Sequence, residues 1–211
     1  GDSREFLTGG TFDVAPPSVE DISVSTDNNS GKITVKIVGV SSAAGIASVR
    51  VPIWSESNQG DCVWYDAVKQ SDGSYVVKTD ISKHKYNVGK YNIHIYVKDM
   101  NGVMTNIGSK NCEFTYGLDA ITLQNDSVQT LYPVSAENVV MPMGVQKVEF
   151  AAWSEAGGQD DVRWYTANAD GNGNYKANID VRNHKTSGKY IIHAYATTKG
   201  GKKIYLGSNS Q

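Results

Sequence analysis

Trp54-Ser55-Glu56-Ser57-Asn58-Gln59-Gly60-Asp61-Cys62-Val63-Trp64-Tyr65 returns later in the chain as Trp153-Ser154-Glu155-Ala156-Gly157-Gly158-Gln159-Asp160-Asp161-Val162-Arg163-Trp164-Tyr165. The match continues in register after these segments. Asp72-Gly73-Ser74-Tyr75 answers Asn172-Gly173-Asn174-Tyr175, and Asp80-Ile81-Ser82-Lys83-His84-Lys85 answers Asp180-Val181-Arg182-Asn183-His184-Lys185. Gly89-Lys90-Tyr91-Asn92-Ile93-His94-Ile95-Tyr96 then answers Gly188-Lys189-Tyr190-Ile191-Ile192-His193-Ala194-Tyr195. A period of roughly a hundred residues is far longer than a solenoid or propeller unit, so each copy is expected to be a domain with its own core.

The texture around the repeated segments is that of β-strands. Ile22-Ser23-Val24-Ser25 and Lys32-Ile33-Thr34-Val35-Lys36-Ile37-Val38 alternate apolar with polar residues, and Asp27-Asn28-Asn29-Ser30-Gly31 supplies a turn between them. Further strands are expected at 46–54, 62–69, 74–81, 91–99 and 103–114. The second copy gives 120–125, 127–134, 145–153, 162–168, 174–181, 190–198 and 202–208. About seven short strands per copy, with no helical period of any length, predict an all-β chain of two sandwiches. The expected division is a leader and linker at 1–20, where Ala15-Pro16-Pro17-Ser18 carries linker chemistry, a first repeat at 21–116 and a second at 117–211. The short junction at Tyr116-Gly117-Leu118-Asp119 predicts a stiff connection.

The composite pattern V-x-x-W-S-E, Q-D-x-x-W-Y, D-G-x-Y, D-I-x-x-H and G-x-Y-x-I-H-x-Y resembles the group B streptococcal Bsp-like repeat, with small departures in each copy. The resemblance covers both halves and leaves mainly the first twenty residues aside. It implies an immunoglobulin-like β-sandwich from secreted or surface proteins of Gram-positive bacteria, found beside peptidoglycan-hydrolase or wall-anchoring domains. It implies no catalytic activity for the repeat itself. Cys62 and Cys112 fall at Val162 and Gln211 of the second copy, outside the shared pattern.

Charge narrows the partners. Across 211 residues, 20 Lys and Arg against 22 Asp and Glu give a formal charge of −2, which lacks the basic footprint of a nucleic-acid or polybasic membrane binder. No apolar run approaches the roughly 18 to 20 residues of a membrane span, and no signal-peptide pattern opens the sequence. Gly1 in place of Met fits a processed product or a segment of a longer protein, which would lose its export signal and anchor together.

Alternation sorts side chains by face. Tyr91, Ile93, Ile95 and Val97, with Tyr190, Ile192, Ala194 and Ala196, take the core parity, as do Val49, Val51 and Ile53 with Val148, Phe150 and Ala152. Trp54, His94 and Tyr96 then face outward, with their counterparts Trp153, His193 and Tyr195. In the Trp-Tyr strand, the charge of Arg163 points to an outward side shared by Tyr65 and Tyr165, leaving Trp64 and Trp164 inside. The candidate ligand-binding set is therefore Trp54, Tyr65, His94 and Tyr96, repeated as Trp153, Tyr165, His193 and Tyr195. Rings with polar edges suit sugars, because the apolar face of a pyranose stacks on an aromatic while its hydroxyls reach Tyr or His. The competing structural reading makes the same rings cross-strand pairs that anchor a long turn.

Each copy also carries Asp-x-x-x-His, at Asp80 with His84 and Asp180 with His184, and a second histidine about ten residues on. Two His and one Asp make a minimal zinc set, and no nucleophile context accompanies them, so turn-capping is expected ahead of metal binding and catalysis. Cys62 and Cys112 allow one intradomain disulfide or two separate thiols. The sequence reading is a non-catalytic module without cofactor or metal, which attaches a larger exported protein to cell-wall polysaccharide or peptidoglycan and positions neighbouring domains. A plain structural spacer and a metal-assisted hydrolase centred on the paired histidines are the alternatives.

Overall fold

The computed structural model describes residues 9–11, 13–125 and 130–210. The first repeat comprises β1 (Asp21–Asp27), β2 (Lys32–Val38), β3 (Ile46–Trp54), β4 (Val63–Asp66), β5 (Val68–Lys69), β6 (Tyr75–Asp80), β7 (Gly89–Asp99) and β8 (Met104–Phe114). The second comprises β9 (Ala120–Leu123), β10 (Leu131–Glu137), β11 (Val145–Ser154), β12 (Arg163–Thr166), β13 (Asn168–Ala169), β14 (Tyr175–Asp180), β15 (Tyr190–Thr198) and β16 (Lys203–Ser210). Each repeat is a sandwich of two four-stranded antiparallel sheets. The orders are β1-β2-β6-β5 facing β4-β3-β7-β8, and β13-β14-β10-β9 facing β12-β11-β15-β16. The two tandem immunoglobulin-like β-sandwiches expected from the pattern are the architecture found. Among the described residues no helix is long and apolar enough to cross a membrane.

The expected core parities hold in the central strands. Val49, Val51 and Ile53 of β3 and Tyr91, Ile93, Ile95 and Val97 of β7 are buried against Ile33, Val35 and Ile37 of β2. In the second repeat Val148, Phe150 and Ala152 meet Ile192, Ala194 and Ala196 in the equivalent layer. Each alternate side chain removed from water contributes about 1.5–3 kcal/mol for a large aliphatic or aromatic group, which fixes the register against a one-residue slip.

Two strand expectations are corrected. The segments 62–69 and 162–168 are each broken, because the chain leaves one sheet at Ala67 or Ala167 and joins the other. Ala67 N–H donates to the Val49 carbonyl (2.8 Å) and Ala167 N–H to the Val148 carbonyl (2.9 Å) at these corners. The strand expected at 127–134 runs instead from Leu131 to Glu137, and positions 126–129 lie outside the described residues. Of the two alternatives open for Cys62 and Cys112, the structure has two separate free thiols and no bridge between them.

The repeats meet end to end. Met143 N–H donates to the Asn29 carbonyl (2.9 Å), and its side chain packs on the first core. Gly31, at φ +66°, has no room for a Cβ, which would lie 2.7 Å from Met143 Cγ and 2.8 Å from Ile81 Cγ1. On the other side of the contact a Cβ at Gly200 would collide with the Lys85 carbonyl oxygen. The Asn28 side chain clamps the linker, accepting from Thr115 N–H (2.9 Å) and donating to its carbonyl (3.0 Å).

Candidate functional site

Beneath the repeated Trp-Ser-Glu segment lies a buried polar pillar. The Asp61 carboxylate accepts from Ser55 N–H (2.9 Å), Ser55 Oγ (2.5 Å) and Glu56 N–H (2.9 Å), tying the loop after β3 to the start of β4. Burial pushes its pKa up, but the hydrogen bonds from Ser55 and Glu56, helped by His84, outweigh that and hold it below the ordinary carboxylate range. His84 is fully enclosed. Its Nδ1 lies 2.9 Å from the Asp61 carbonyl, which can only accept, so Nδ1 carries the proton. Nε2 is then the acceptor for the Tyr65 hydroxyl at 3.0 Å, and Thr79 Oγ1 donates to Tyr65 in turn (2.8 Å). Burial depresses the His84 pKa against the pull of Asp61, so the imidazole is held neutral.

The second repeat repeats this pillar only in part with Asp161, Ser154, His184 and Tyr165: His184 Nδ1 makes no hydrogen bond, lying 3.4 Å from Asp161 Oδ2, and Tyr165 Oη also lies 3.2 Å from the Asp180 carbonyl. Tyr165 Oη lies 2.9 Å from His184 Nε2, and Asp161 accepts from Ser154 N–H (3.1 Å) and Lys185 N–H (3.2 Å). The turn-capping expected of Asp80 and Asp180 is found: each accepts from the backbone N–H two residues on, at Ser82 (2.9 Å) and Arg182 (3.0 Å). His84 and His184 cap no turn; they connect Tyr65 and Tyr165 to the aspartate loops.

Tyr65 and Tyr165 therefore leave the candidate surface set. They point inward, and the outward position on β4 and β12 belongs to Trp64 and Trp164, 44% and 48% exposed. The parity inference failed at Arg163. It shares the inward side with Tyr165 but stands at the end of an edge strand, where its Nε reaches past the rim to the Asn183 carbonyl (3.2 Å). A long cationic side chain at a sheet edge can leave the core by its own length, so its charge does not report the face. Asp66 and Thr166, two residues after each tryptophan, carry the usable signal: a short polar residue on that parity marks the outside.

The other six candidates assemble on one outer sheet face per repeat. In the first, the rings of Trp54 and His94 meet edge-on (4.8 Å, 75°), and Trp64 lies against Tyr96 (5.2 Å, 44°). His94 and Tyr96 are 6.4 Å apart. The second repeat gives 4.7 Å and 75° for Trp153 with His193, and 5.2 Å and 49° for Trp164 with Tyr195. Trp54 and His94 are diagonal neighbours on the paired strands β3 and β7, whereas Trp64 and Tyr96 stand on the two strands that flank β3 and their rings meet across it; Trp153, His193, Trp164 and Tyr195 repeat this on β11, β15 and β12. Trp153 is only 6% exposed, so it supports the face, while the neighbouring Trp164 presents it.

Charged groups border each face. Arg50 lies over Trp64 (Cζ to ring centre 5.4 Å) and its Nε pairs with Asp66 (3.0 Å). Glu149 occupies the Arg50 position in the second copy, bridged by Lys147 (3.0 Å) and Lys203 (3.0 Å), and Lys203 Nζ sits 3.7 Å from the Trp164 ring centre. Tyr205, 45% exposed, widens this second face, 5.0 Å from His193 and 5.4 Å from Tyr195. It pairs with Tyr195 where the first repeat pairs Tyr96 with Asn106, so comparison of the copies could not reveal it.

Among solved structures, the chain is similar to a tetra-tandem repeat from the extending region of a large adhesion protein. That likeness has 20% identity and a TM-score of 0.43, covering 92% of this chain and 48% of the other. It is also similar to a two-domain fibronectin type-III segment of chicken tenascin, with 13% identity, a TM-score of 0.38, and 93% and 99% coverage. A polysaccharide deacetylase from Bacillus cereus matches over 49% of this chain and 31% of its own length, with 12% identity and a TM-score of 0.40. The chain thus spans about half of the adhesion-protein repeat structure (48%). No curated protein matches. The family model for the GBS Bsp-like repeat matches twice, over residues 23–112 and 122–211, so the chain belongs to the GBS Bsp-like repeat family as a tandem pair.

Proposed function

We propose that the pair is a non-catalytic carbohydrate-binding module of an exported, surface-associated bacterial protein, with cell-wall polysaccharide or peptidoglycan as its ligand. The observation that carries this reading is the outward aromatic face, built twice with the same ring distances. Trp64 and Trp164 stand exposed on it beside hydrogen-bonding charged groups. An exposed indole flanked by carboxylate, ammonium or guanidinium groups can stack on a sugar ring and hydrogen-bond its hydroxyls together. The face is open and shallow, which suits a repeating polymer engaged weakly at several points. Membership in the Bsp-like family supports an export setting on a Gram-positive cell wall. The histidines give no support to hydrolysis: His84 and His184 are occupied in the pillars, and His94 and His193 pack against tryptophan.

Glycan-array binding of the intact pair, repeated with Trp64→Ala and Trp164→Ala, tests the reading. The parent is expected to bind wall-type glycans and each variant to lose signal. An array on which parent and variants are equally silent leaves the repeats as spacers, a role favoured by the tight end-to-end contact through Met143 and Gly200.

A further inference from the structure

Each exposed tryptophan carries a cation on its ring, and the two copies supply it from different places. In the first repeat Arg50 of β3 reaches Trp64, with Cζ 5.4 Å from the ring centre. In the second that position holds Glu149, and the cation comes from Lys203 of β16, where the first repeat has Met104. Lys203 Nζ stands 3.7 Å from the Trp164 ring centre and 5.9 Å from that of Tyr195. The residue differs between the copies and the charge does not. An indole needs no cation to pack on a sheet, and at an exposed site the contact contributes little to stability. Nor does a general basic field place it there, since the formal charge of the chain is −2. Internal partners leave these cations incompletely neutralised. Glu149, its side chain 11% exposed, is shared by Lys147 and Lys203 at 3.0 Å each, two ammonium groups to one carboxylate. Arg50 pairs with Asp66, whose side chain is 76% exposed, and a solvated pair of this kind is weak and readily exchanged.

Resting on the glycan-binding reading above, we infer that the sugars these faces take are acidic. A pyranose stacks at the exposed indole while its carboxylate or phosphate group pairs with Arg50 in the first repeat, and with Lys203 and Lys147 in the second. A neutral sugar meets the unbalanced ammonium with hydroxyls alone, whereas an acidic one gives it a charge-assisted hydrogen bond, the stronger kind. The Lys203 side chain is long and 41% exposed, so its ammonium can turn from the ring to the ligand without disturbing the sheet. Tyr205, its ring centre 5.4 Å from that of Tyr195, extends the second platform and makes it the stronger of the two.

The test measures binding of the intact pair to polymers that differ only in charge: polygalacturonate against its methyl ester, and a phosphomannan against its dephosphorylated form. Polyglutamate supplies charge without sugar. At least one acidic glycan is expected to bind about tenfold more tightly than its neutral form at low salt, and the pair that responds identifies the acid group. The difference should shrink as salt is raised. Lys203→Met, which copies Met104, should lower affinity for the acidic glycan about fivefold, leave the neutral form unaffected and keep the melting temperature. Equal binding of charged and neutral forms in both pairs would overturn the inference and leave the glycan reading standing. A Lys203→Met loss shared by both forms, or polyglutamate binding as tightly as the acidic glycans, would overturn it as well. Silence of the parent towards every glycan would remove the glycan reading together with it.

Discussion

His84 is held neutral by two contacts and by burial: a carbonyl fixes Nδ1–H, a phenol donates to Nε2, and desolvation penalises the cation. Its folded pKa is depressed, so the unfolded chain takes up a proton first as pH falls. The stability it contributes is complete above the unfolded value of about 6.5 and is lost as pH drops from there towards the folded pKa. Denaturation at pH 7 and pH 5.5 should show the first repeat losing up to about 1.4 kcal/mol per pH unit from this group. His84→Gln should flatten that slope while lowering stability at pH 7. His193 is depressed by burial as well and adds the same sign in the second repeat. The thiols make a second residue-scale prediction: burial raises Cys112 to about 11 and, with the Asp61 charge, raises Cys62. Titration with a thiol reagent should find two thiols per chain after unfolding without reductant, and slow reaction before it. Sequence alternation placed Trp54, His94, Tyr96 and their counterparts correctly, because central strands are covered on the inner side and parity is enforced there. It misplaced Tyr65 and Tyr165 because edge strands let one long side chain escape the rule.

At the scale of elements, the aspartate loop decides how the Trp-Tyr strand meets its sheet. Asp61 gathers the Ser55 and Glu56 amides, and Asn87 Nδ2 donates to Ser55 Oγ (2.9 Å), so the long turn is built around one carboxylate. Asp61→Ala leaves those donors in a partly dry site and should cost the first repeat about 2–4 kcal/mol by urea denaturation. Asp161→Ala should cost the second a similar amount. Because the carboxylates have depressed folded pKa values, their contribution is present above about pH 4 and lost as pH falls through the folded value. The repeat made these loops visible in the sequence, since Ser-Glu and Gln-Asp recur together, but not their purpose, which depends on hydrogen bonds between residues several positions apart. The breaks at Ala67 and Ala167 were likewise invisible. A strand that changes sheets keeps its extended backbone and its β-forming residues through the corner.

For the molecule as a whole, two separate cores predict two folding units. Residues 20–116 and 117–211 expressed apart should each give dispersed amide spectra, and the first should be less stable alone by about 1–2 kcal/mol, because Met143 no longer covers its end. The end-to-end contact joins the two aromatic faces, and under the proposed glycan-binding function duplication then matters. A single shallow platform gives roughly millimolar affinity, about 4 kcal/mol, which retains little on an insoluble polymer. Two linked platforms can gain on the order of a hundredfold when both engage. The most direct test is co-sedimentation with purified Gram-positive cell walls, comparing the intact pair with Trp64→Ala, Trp164→Ala and the double variant, each checked for an unchanged melting temperature. The account predicts that the parent sediments, that either single change removes most of the retention, and that the double change abolishes it. Equal sedimentation of folded parent and double variant would contradict it.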